Sequence, residues 1–393
     1  NRLCWFCGCH TKQVQRYDPI ADYLLALEAE IELVARTLGS RRRVVAIHFG
    51  GGSPTMIAPA DLANLHETLA GVFDLQQDCE ISVEIDPRAF DIRKLEAWHA
   101  FGMTRASIGV QDFEPRVQDA INRQQSFEDT KALVDDLRRC GIRSINLDIV
   151  YGLPFQTSAS LHRTVELALS MHPNRVALFG YAHVPWMKKH QTLISEPSLP
   201  TLDDRFAMAN ASALQLTSAG YVAIGIDHYA DSSDDLAKAA LNGEVRRNFQ
   251  GYTTDQAEML VGLGASSIGK LPQGYVQNVV ATHDYCRRVQ TGQLAVARGF
   301  ALSAVDRATA WLIENLMCSF SVSTVQLIRQ FGVDAEALID RAARIAADDR
   351  DGFVTFDGDE FTITENGRPF TRTIASWFDE YLASGKARHS AAV

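Results

Sequence analysis

Apolar segments typical of β-strands alternate with amphipathic helical segments through the first half of the chain. Strands are predicted over 44–49, 80–86, 105–113, 144–153 and 175–182, and helices over 18–38, 91–101, 126–140 and 158–171. The first helix is expected to be capped by Asp18 and to end at Gly39. Alternation every roughly 30–40 residues indicates parallel strands joined by crossover helices. The sequence therefore predicts an α/β fold, either a β/α barrel or a doubly wound sheet.

Polar residues follow the predicted strands at their carboxyl ends. They are Gly51-Gly52-Ser53, Glu84, Gln111-Asp112, Asp148 and Tyr181-Ala182-His183. In a β/α barrel the carboxyl ends of the strands share one rim, and that rim holds the active site. We therefore expect these residues to line a single pocket. As alternatives, His48 and His183 are hydrogen-bonded core histidines, and Glu84 is a solvated loop carboxylate.

The turn "GGGSPT" after the first predicted strand favours a ligand held closely by backbone groups, because glycine has no Cβ to intervene. The turn lacks the lysine of a phosphate-binding P-loop, and it is not G-x-G-x-x-G. We therefore expect its ligand to be neither a nucleoside triphosphate nor a dinucleotide.

Three of the seven cysteines, Cys4, Cys7 and Cys9, lie within the first ten residues. Such a cluster gathers thiolates around zinc or an iron–sulfur centre, and a redox disulfide between Cys4 and Cys7 is the alternative. The remaining cysteines are scattered and are interpreted as ordinary buried thiols: Cys79, Cys140, Cys286 and Cys318. This usage is typical of a reducing, cytoplasmic compartment.

The formal net charge of −10 argues against a nucleic-acid partner, which would need a basic face. The sequence shows no run of about 18 apolar residues and no secretory signal, so no membrane association is expected. From about residue 300 the pattern turns helical and then forms a hairpin, "GFVTFDGDEFTITENGR". This order resembles a winged helix, but the stretch is acidic. We expect a lid over the substrate rather than DNA binding.

Nine motifs along the chain resemble, in order, those of the oxygen-independent coproporphyrinogen III oxidases (coproporphyrinogen dehydrogenases) of the radical S-adenosylmethionine superfamily. They are "CWFCGC", "GGGSPT", "VEIDPR", "GVQDF", "NRQQ", "NLDIVYGLP", "YAHVP", "GIDHYA" and "RNFQGYTT". The resemblance implies a partial β/α barrel over 1–220, a barrel extension with pocket-closing loops over 221–299, and a helical C-terminal domain with a β-hairpin over 300–393.

The resemblance also implies a [4Fe–4S] cluster. Cys4 and Cys7 match the second and third ligands of the family motif C-x-x-x-C-x-x-C, whose first cysteine would stand immediately before Asn1. The chain is thus expected to lack one ligand, the first barrel strand and any N-terminal arm, and as written it should not hold a stable cluster. Cys9 matches a family cysteine that is not a ligand, and it is the one candidate catalytic residue.

Two molecules of S-adenosylmethionine are implied by the same resemblance. Gly51, Glu84 and Ile268 match positions that contact the first molecule. Positions around the second molecule are matched by Phe6, Gly52, Ser53, Gln111, Arg123, Asp148 and Ala182. Ser53 stands where the family often has threonine, which also offers a hydroxyl. From the sequence alone, Arg123 could equally be an ordinary surface residue.

The implied reaction converts two propionate side chains of coproporphyrinogen III to vinyl groups, giving protoporphyrinogen IX for haem biosynthesis. It requires an electron donor and a terminal electron acceptor, neither of which the sequence identifies. The chain is expected to act as a monomer. Gln250 and Tyr252 in "RNFQGYTT" either contact the substrate or cofactor or only close a loop.

Two other functions compete with the oxidase. Haem chaperones of the same superfamily carry an Asp-Phe pair where this chain has Gly8-Cys9, and an H-N-x-x-Y-W pattern where this chain has 247–252. Both differences favour the oxidase. An unrelated barrel with a zinc or disulfide site would leave the polar strand ends unexplained.

Overall fold

The computed structural model describes residues 3–11 and 13–384. The chain divides into two compact units. The first unit comprises 1–219 and 257–300, and the second comprises 220–256 and 301–393. The second unit therefore takes one segment from each side of 257–300.

Five parallel strands form the sheet of the first unit. In spatial order they are β1 (Arg43–Phe49), β2 (Asp74–Ile85), β3 (Arg105–Gln111), β4 (Ser144–Tyr151) and β5 (Arg175–Gly180). Their registers place the carboxyl ends together, since Gln111 lies opposite Ile149 and Tyr151 lies opposite Gly180. The predicted alternation is confirmed, and the strand ends share one edge.

The helices that accompany these strands are α1 (Asp18–Leu38), α2 (Pro59–Val72), α3 (Ile92–Phe101), α4 (Pro115–Ala120), α5 (Phe127–Arg139), α6 (Ser158–Ser170) and α7 (Leu202–Ser218). The side chain of Ser126 caps α5 by accepting the amide of Asp129 at 3.0 Å. The prediction of an Asp18 cap is wrong, because the cap position is Tyr17. Asp18 lies in the first turn, where its charge still favours the helix dipole.

Alternate residues of the central strands β2, β3 and β4 are buried, whereas β1 has no fully buried residue. Val83, Ile108 and Leu147 on successive strands are fully buried. Trp98 of α3 and Leu137 of α5 are fully buried as well. The apolar β-type runs of β2, β3 and β4 therefore contribute one face to the core.

The second unit begins with two hairpins. Its elements are β6 (Tyr221–Ile224), β7 (His228–Asp231), α8 (Asp235–Leu241), β8 (Arg246–Asn248) and β9 (Gly251–Thr253). "YVAIGIDHYA" forms the antiparallel pair β6–β7. The expectation that "RNFQGYTT" is a loop is wrong, because this segment forms the antiparallel pair β8–β9.

Tyr252 is buried beneath the β8–β9 hairpin. Its hydroxyl donates to the carbonyl of Met317 at 3.0 Å and accepts from the amide of Ile226 at 3.1 Å. Gln250 lies exposed in the turn of the hairpin. The sequence left open whether Tyr252 contacts the substrate or cofactor or only closes a loop. These contacts support the second role, because they attach the hairpin to neighbouring backbone.

Residues 257–300 return to the first unit with β10 (Ile268–Leu271), β11 (Gly274–Asn278), α9 (Thr282–Gln290) and β12 (Val296–Ala301). The second unit then ends with α10 (Ala304–Ser319), β13 (Ser321–Ser323), α11 (Thr324–Phe331), α12 (Glu336–Asp348), β14 (Val354–Phe356), β15 (Glu360–Ile363), α13 (Thr371–Ser376) and α14 (Glu380–Ser384). The predicted hairpin is confirmed as β14–β15. None of the described helices combines the length and apolar character needed to cross a membrane.

A buried carboxylate fastens the loop before β10 to α1. Glu30 is 1% exposed and accepts three hydrogen bonds, from the amide of Gly264 (2.6 Å), Nδ2 of Asn278 (2.6 Å) and the hydroxyl of Tyr285 (2.7 Å). Burial raises the pKa of Glu30, against these hydrogen bonds, which favour the charged form. The loop therefore depends on all three donors meeting one carboxylate.

We predict that Tyr285→Phe destabilises the protein, because it removes one donor from a buried carboxylate. The expected loss in the free energy of unfolding is about 1.5–3 kcal/mol, the range for a hydrogen bond to a charged group. Urea denaturation measures it. Tyr381→Phe is the matched control, since that exposed tyrosine donates to Asp306 at 2.9 Å in solvent. Equal losses in the two variants would contradict this account of Glu30.

Candidate active site

Residues 3–9, called the cysteine segment because they carry Cys4, Cys7 and Cys9, are attached to the turn that follows α4. The amide of Trp5 donates to the carbonyl of Ile121 at 2.9 Å, and Nδ2 of Asn122 donates to the carbonyl of Leu3 at 2.9 Å. These bonds fix the backbone on either side of Cys4. The segment has no helix or strand of its own, so its position depends on such contacts.

A second attachment comes from the short 3-10 helix Lys189–Leu193, which lies beyond β5. Nε2 of His190 lies 2.7 Å from the carbonyl of Cys7, and Nε2 of Gln191 donates to the carbonyl of Phe6 at 2.9 Å. The backbone of the segment is thus held from two sides.

The thiol of Cys4 is buried and faces two guanidinium groups. One nitrogen each of Arg88 and Arg123 donates to Sγ at 3.4 Å. Asp86 lies beside both, at 2.6 Å from Arg88 and 3.6 Å from Arg123. Burial alone would raise the pKa of Asp86, but the hydrogen bond from Arg88 and the two positive charges lower it overall. A Cys4 thiolate would meet a cationic environment here.

Cys7 and Cys9 have opposite protonation preferences. The amide of Cys9 donates to Sγ of Cys7 at 3.4 Å. The pKa of Cys7 is lowered to about 6, first by the hydrogen bond from the Cys9 side chain and further by His190 and Lys188, against the effect of burial. The pKa of Cys9 rises, because its thiol faces that of Cys7. At neutral pH Cys7 is therefore a thiolate and a good metal ligand, whereas Cys9 keeps its proton.

The glycine turn and Glu84 form one contact. The amide of Gly51 donates to Oε2 of Glu84 at 3.0 Å, and Nε2 of His48 lies 3.5 Å from Oε1. A Cβ at Gly50 would lie 2.5 Å from Nε2 of His48 and 2.6 Å from Oε1 of Glu84, so a larger residue there would displace these side chains. The turn therefore holds the carboxylate at the end of β2 in a close contact that glycine permits.

Asp148 is presented by β4 within a small polar group. Oδ1 accepts from Nδ2 of Asn146 at 2.7 Å, and Oδ2 accepts from the hydroxyl of Ser107 at 3.1 Å. In the neighbouring strand β3, the pairing with β4 is irregular between Gly109 and Gln111. Gln111 has φ of 68°, a conformation that a side-chain-bearing residue rarely adopts. Such strain is typical of functional strand ends.

Arg123 joins this part of the sheet to the cysteine segment. It donates to the carbonyl of Gly109 as well as to Cys4, and it is 6% exposed. Its Nε is buried with no hydrogen-bond partner among the described residues. The alternative of an ordinary surface residue is therefore wrong.

Tyr181, Ala182 and His183 follow β5 and are linked to one another. The hydroxyl of Tyr181 lies 2.8 Å from Nδ1 of His183, and Nε2 of His183 lies 3.4 Å from Glu196. The carbonyl of Ala182 accepts from Nε2 of Gln191 at 3.2 Å. His183 is thus a hydrogen-bonded residue of the loop after β5, rather than a core histidine.

One residue expected on the rim belongs to the core. Asp112 is 1% exposed and accepts from Nε2 of Gln156 and, at 2.8 Å, from the hydroxyl of Thr164. Burial raises its pKa. Its carboxylate fastens the end of β3 to α6, so the expectation that it lines the pocket is wrong.

The remaining candidates lie at three places around the sheet edge. Gly52 and Ser53 continue the glycine turn, and Phe6 packs with Val150 and Tyr181. Ile268 begins β10, directly after the loop that Glu30 holds. Among the candidate residues, hydrogen bonds connect Gly51 with Glu84 and Arg123 with Cys4.

The thiols fit two ligands of an iron–sulfur cluster, since Cys4 faces N–H donors and Cys7 is deprotonated at neutral pH. Across 3–11 and 13–384, no three His, Cys, Asp or Glu side chains converge on a metal position. A closed structural zinc site takes four ligands. The described residues therefore offer two thiols, Cys4 and Cys7, that fit part of a larger ligand set.

Similarity to known proteins shows which family this chain belongs to. Residues 1–168 match the Radical SAM superfamily. The oxygen-independent coproporphyrinogen III oxidases of Bradyrhizobium diazoefficiens and Paracoccus denitrificans are 48% and 45% identical to this chain, covering 100% of it and 87% of each relative. The chain belongs to the oxygen-independent coproporphyrinogen III oxidases. As a member of this family it is a radical S-adenosylmethionine oxidoreductase, which implies a [4Fe–4S] cluster and S-adenosylmethionine.

A solved structure confirms the fold of this coproporphyrinogen oxidase family member. Coproporphyrinogen III oxidase (HemN) from Escherichia coli, a radical SAM enzyme, superposes with a TM-score of 0.93 at 35% identity, covering 97% of this chain and 88% of that one. The resemblance proposed from the sequence motifs and the predicted radical SAM fold with a helical C-terminal region are thereby confirmed.

Sequence reasoning missed Arg88, His190 and Gln191. Arg88 lies in "VEIDPR" immediately after β2, so its place at a strand end was a usable signal. The other two lie in "KKHQ", which carries no periodic or motif signal, and only the folded chain brings them to the cysteine segment.

We predict that Gly50→Ala weakens binding of S-adenosylmethionine at least about tenfold, because the new methyl group displaces Glu84 and the glycine turn. Equilibrium dialysis with the full-length, anaerobically prepared enzyme measures it. Gly71→Ala is the control, since a Cβ there meets open space on α2. Unchanged affinity in Gly50→Ala would show that the turn does not shape the cofactor site.

Proposed function

We propose that this protein carries out the oxygen-independent oxidative decarboxylation of two propionate side chains of coproporphyrinogen III, giving protoporphyrinogen IX. The observation that carries the proposal is the pair of thiols of Cys4 and Cys7, which are held by hydrogen bonds in the fold whose sheet edge presents Glu84 and Asp148. The names and high identity of the relatives support the substrate.

When bound, the reduced cluster and S-adenosylmethionine supply a 5′-deoxyadenosyl radical, which takes a hydrogen atom from the β-carbon of a propionate. The substrate radical then loses CO₂ and one electron, and a vinyl group remains. The protein's own part is to bind, orient and shield these reactants.

Around the first S-adenosylmethionine we place Gly51, Glu84 and Ile268. The carboxylate of Glu84 has a side chain 41% exposed, so one face remains open to a ligand ammonium or hydroxyl. The amide of Gly51 fixes its other side. Ile268 begins β10, opposite Gln277 of β11, and follows the loop whose Gly264 amide donates to Glu30.

Around the second S-adenosylmethionine we place a set that spans several strand ends: Phe6, Gly52, Ser53, Gln111, Arg123, Asp148 and Ala182. The unpartnered Nε of Arg123 is a donor available to a ligand carboxylate. The carboxylate of Asp148 is oriented by Ser107 and Asn146 and can accept from ribose hydroxyls. Cys9 is placed as the candidate catalytic residue, since its backbone amide donates to Sγ of Cys7.

The reaction needs a one-electron donor for the cluster and a separate electron acceptor. We propose that the enzyme works in the cytoplasm, since the seven cysteines, all among the described residues, form no disulfide. We further propose that it acts as a monomer. The relatives support the oxidase and give no support to the haem-chaperone alternative.

The test is an anaerobic assay of the full-length protein with coproporphyrinogen III, S-adenosylmethionine and a reductant. We expect a broad iron–sulfur absorption band and vinyl products by mass spectrometry. Cys4→Ser and Cys7→Ser should each reduce bound iron and turnover by more than about tenfold, because each removes a cluster ligand. Cys286→Ser, at a half-buried thiol on α9, is the matched control and should retain both. Tight haem binding without vinyl formation would overturn the proposal.

A further inference from the structure

Arg88 is held by several hydrogen bonds to the carboxylate of Asp86. Nε donates to Oδ1 of Asp86 at 2.9 Å, Nη2 donates to Oδ2 at 2.6 Å, and the backbone amide of Arg88 donates to Oδ1 at 3.2 Å. The fork of the guanidinium thus meets both carboxylate oxygens, which fixes its plane and direction. The side chain is 18% exposed, so little solvent competes for it.

The direction fixed by Asp86 points the guanidinium at sulfur. Nη2 of Arg88 lies 3.4 Å from Sγ of Cys4, which is 84 positions away in the sequence. Pro87, between Asp86 and Arg88, begins the 3-10 turn Pro87–Ala89 and limits its backbone freedom. The turn follows β2, the strand that also presents Glu84.

Reduction of an iron–sulfur cluster adds one negative charge, which spreads onto the ligand sulfurs. Hydrogen bonds to those sulfurs are among the factors that set the reduction potential. A cationic donor at a buried sulfur stabilises the reduced form more than the oxidised form, and low solvent access strengthens the effect. Arg123 donates to the same sulfur but also binds the Gly109 carbonyl, so Arg88 can be changed without disturbing β3.

We propose that Arg88, oriented by Asp86, sets the reduction potential of the cluster by donating a hydrogen bond to Sγ of Cys4. This inference rests on the proposed function, since it requires the cluster that Cys4 and Cys7 would ligate. Arg88 acts through the ligand and is a positioning residue. It makes the first electron transfer easier without touching the substrate.

The experiment is an anaerobic redox titration of the full-length, reconstituted protein, followed by electron paramagnetic resonance of the reduced cluster. We expect Arg88→Met to lower the ratio of reduced to oxidised cluster about tenfold at the wild-type midpoint, which is a shift of about 59 mV for one electron. Arg88→Lys keeps the charge but loses the fork, and should shift the midpoint by less.

Two further variants separate the hydrogen bond from simpler effects. Arg105→Met is the matched control, because Arg105 is also buried and bound to a carboxylate, Glu80, at 2.6 Å, but contacts no cysteine. It should leave the potential unchanged. The double variant Asp86→Asn with Arg88→Met removes one charge of each sign, so its net charge equals that of the wild type. It should still have a lowered potential.

The outcomes distinguish the inference from the proposed function. A wild-type cluster that forms and reacts, together with an unchanged potential in Arg88→Met and the double variant, would overturn the role of Arg88 alone. Loss of iron from both variants would assign Arg88 to cluster retention and would also overturn it. Failure of the wild-type protein itself to bind iron would overturn the proposed function.

Discussion

The hydrogen-bonded ladder of parallel strands β1 to β5 is the constraint on which the site depends. Parallel pairing fixes the register, so the carboxyl ends of the strands meet at one edge whatever the loops contain. Glu84, Gly109 and Asp148 take their positions from that register. The cysteine segment has no ladder of its own, and it is held by Asn122, which follows α4, and by the helix Lys189–Leu193.

Local charge at the site opposes the charge of the whole molecule. The chain carries a net charge of −10, yet the first two thiols face cations. Arg88 and Arg123 surround Cys4, while the hydrogen bond from Cys9 and the nearby His190 and Lys188 lower the pKa of Cys7. Thiolates are better metal ligands than thiols, so these neighbours favour metal binding in a chain that is acidic overall.

Much of this arrangement could be predicted from the sequence. Periodicity alone gave α1 and the core strands, because buried parallel strands read as apolar runs. The polar strand ends correctly located Glu84 and Asp148 at the edge. The motifs supplied the family, which composition and spacing could not.

What the sequence could not predict depends on contacts between distant residues. In the sequence, Asp112 looks like a polar strand end, as its neighbour Gln111 does. Only the folded chain shows that Asp112 is buried and bonded to Gln156 and Thr164. The short hairpins β6–β7 and β8–β9 are too brief for periodicity to separate from a strand or a loop. Arg88 and Cys4 lie 84 positions apart, so no local pattern connects them.

The central claim is that this edge of the sheet holds a thiolate-ligated cluster with one iron left open for S-adenosylmethionine. Mössbauer spectroscopy of the full-length protein, reconstituted with ⁵⁷Fe, tests it most directly. Addition of S-adenosylmethionine should alter the signal of a single iron site and leave the other sites unchanged. Spectra that are identical with and without it, or a protein that retains no iron, would contradict the account.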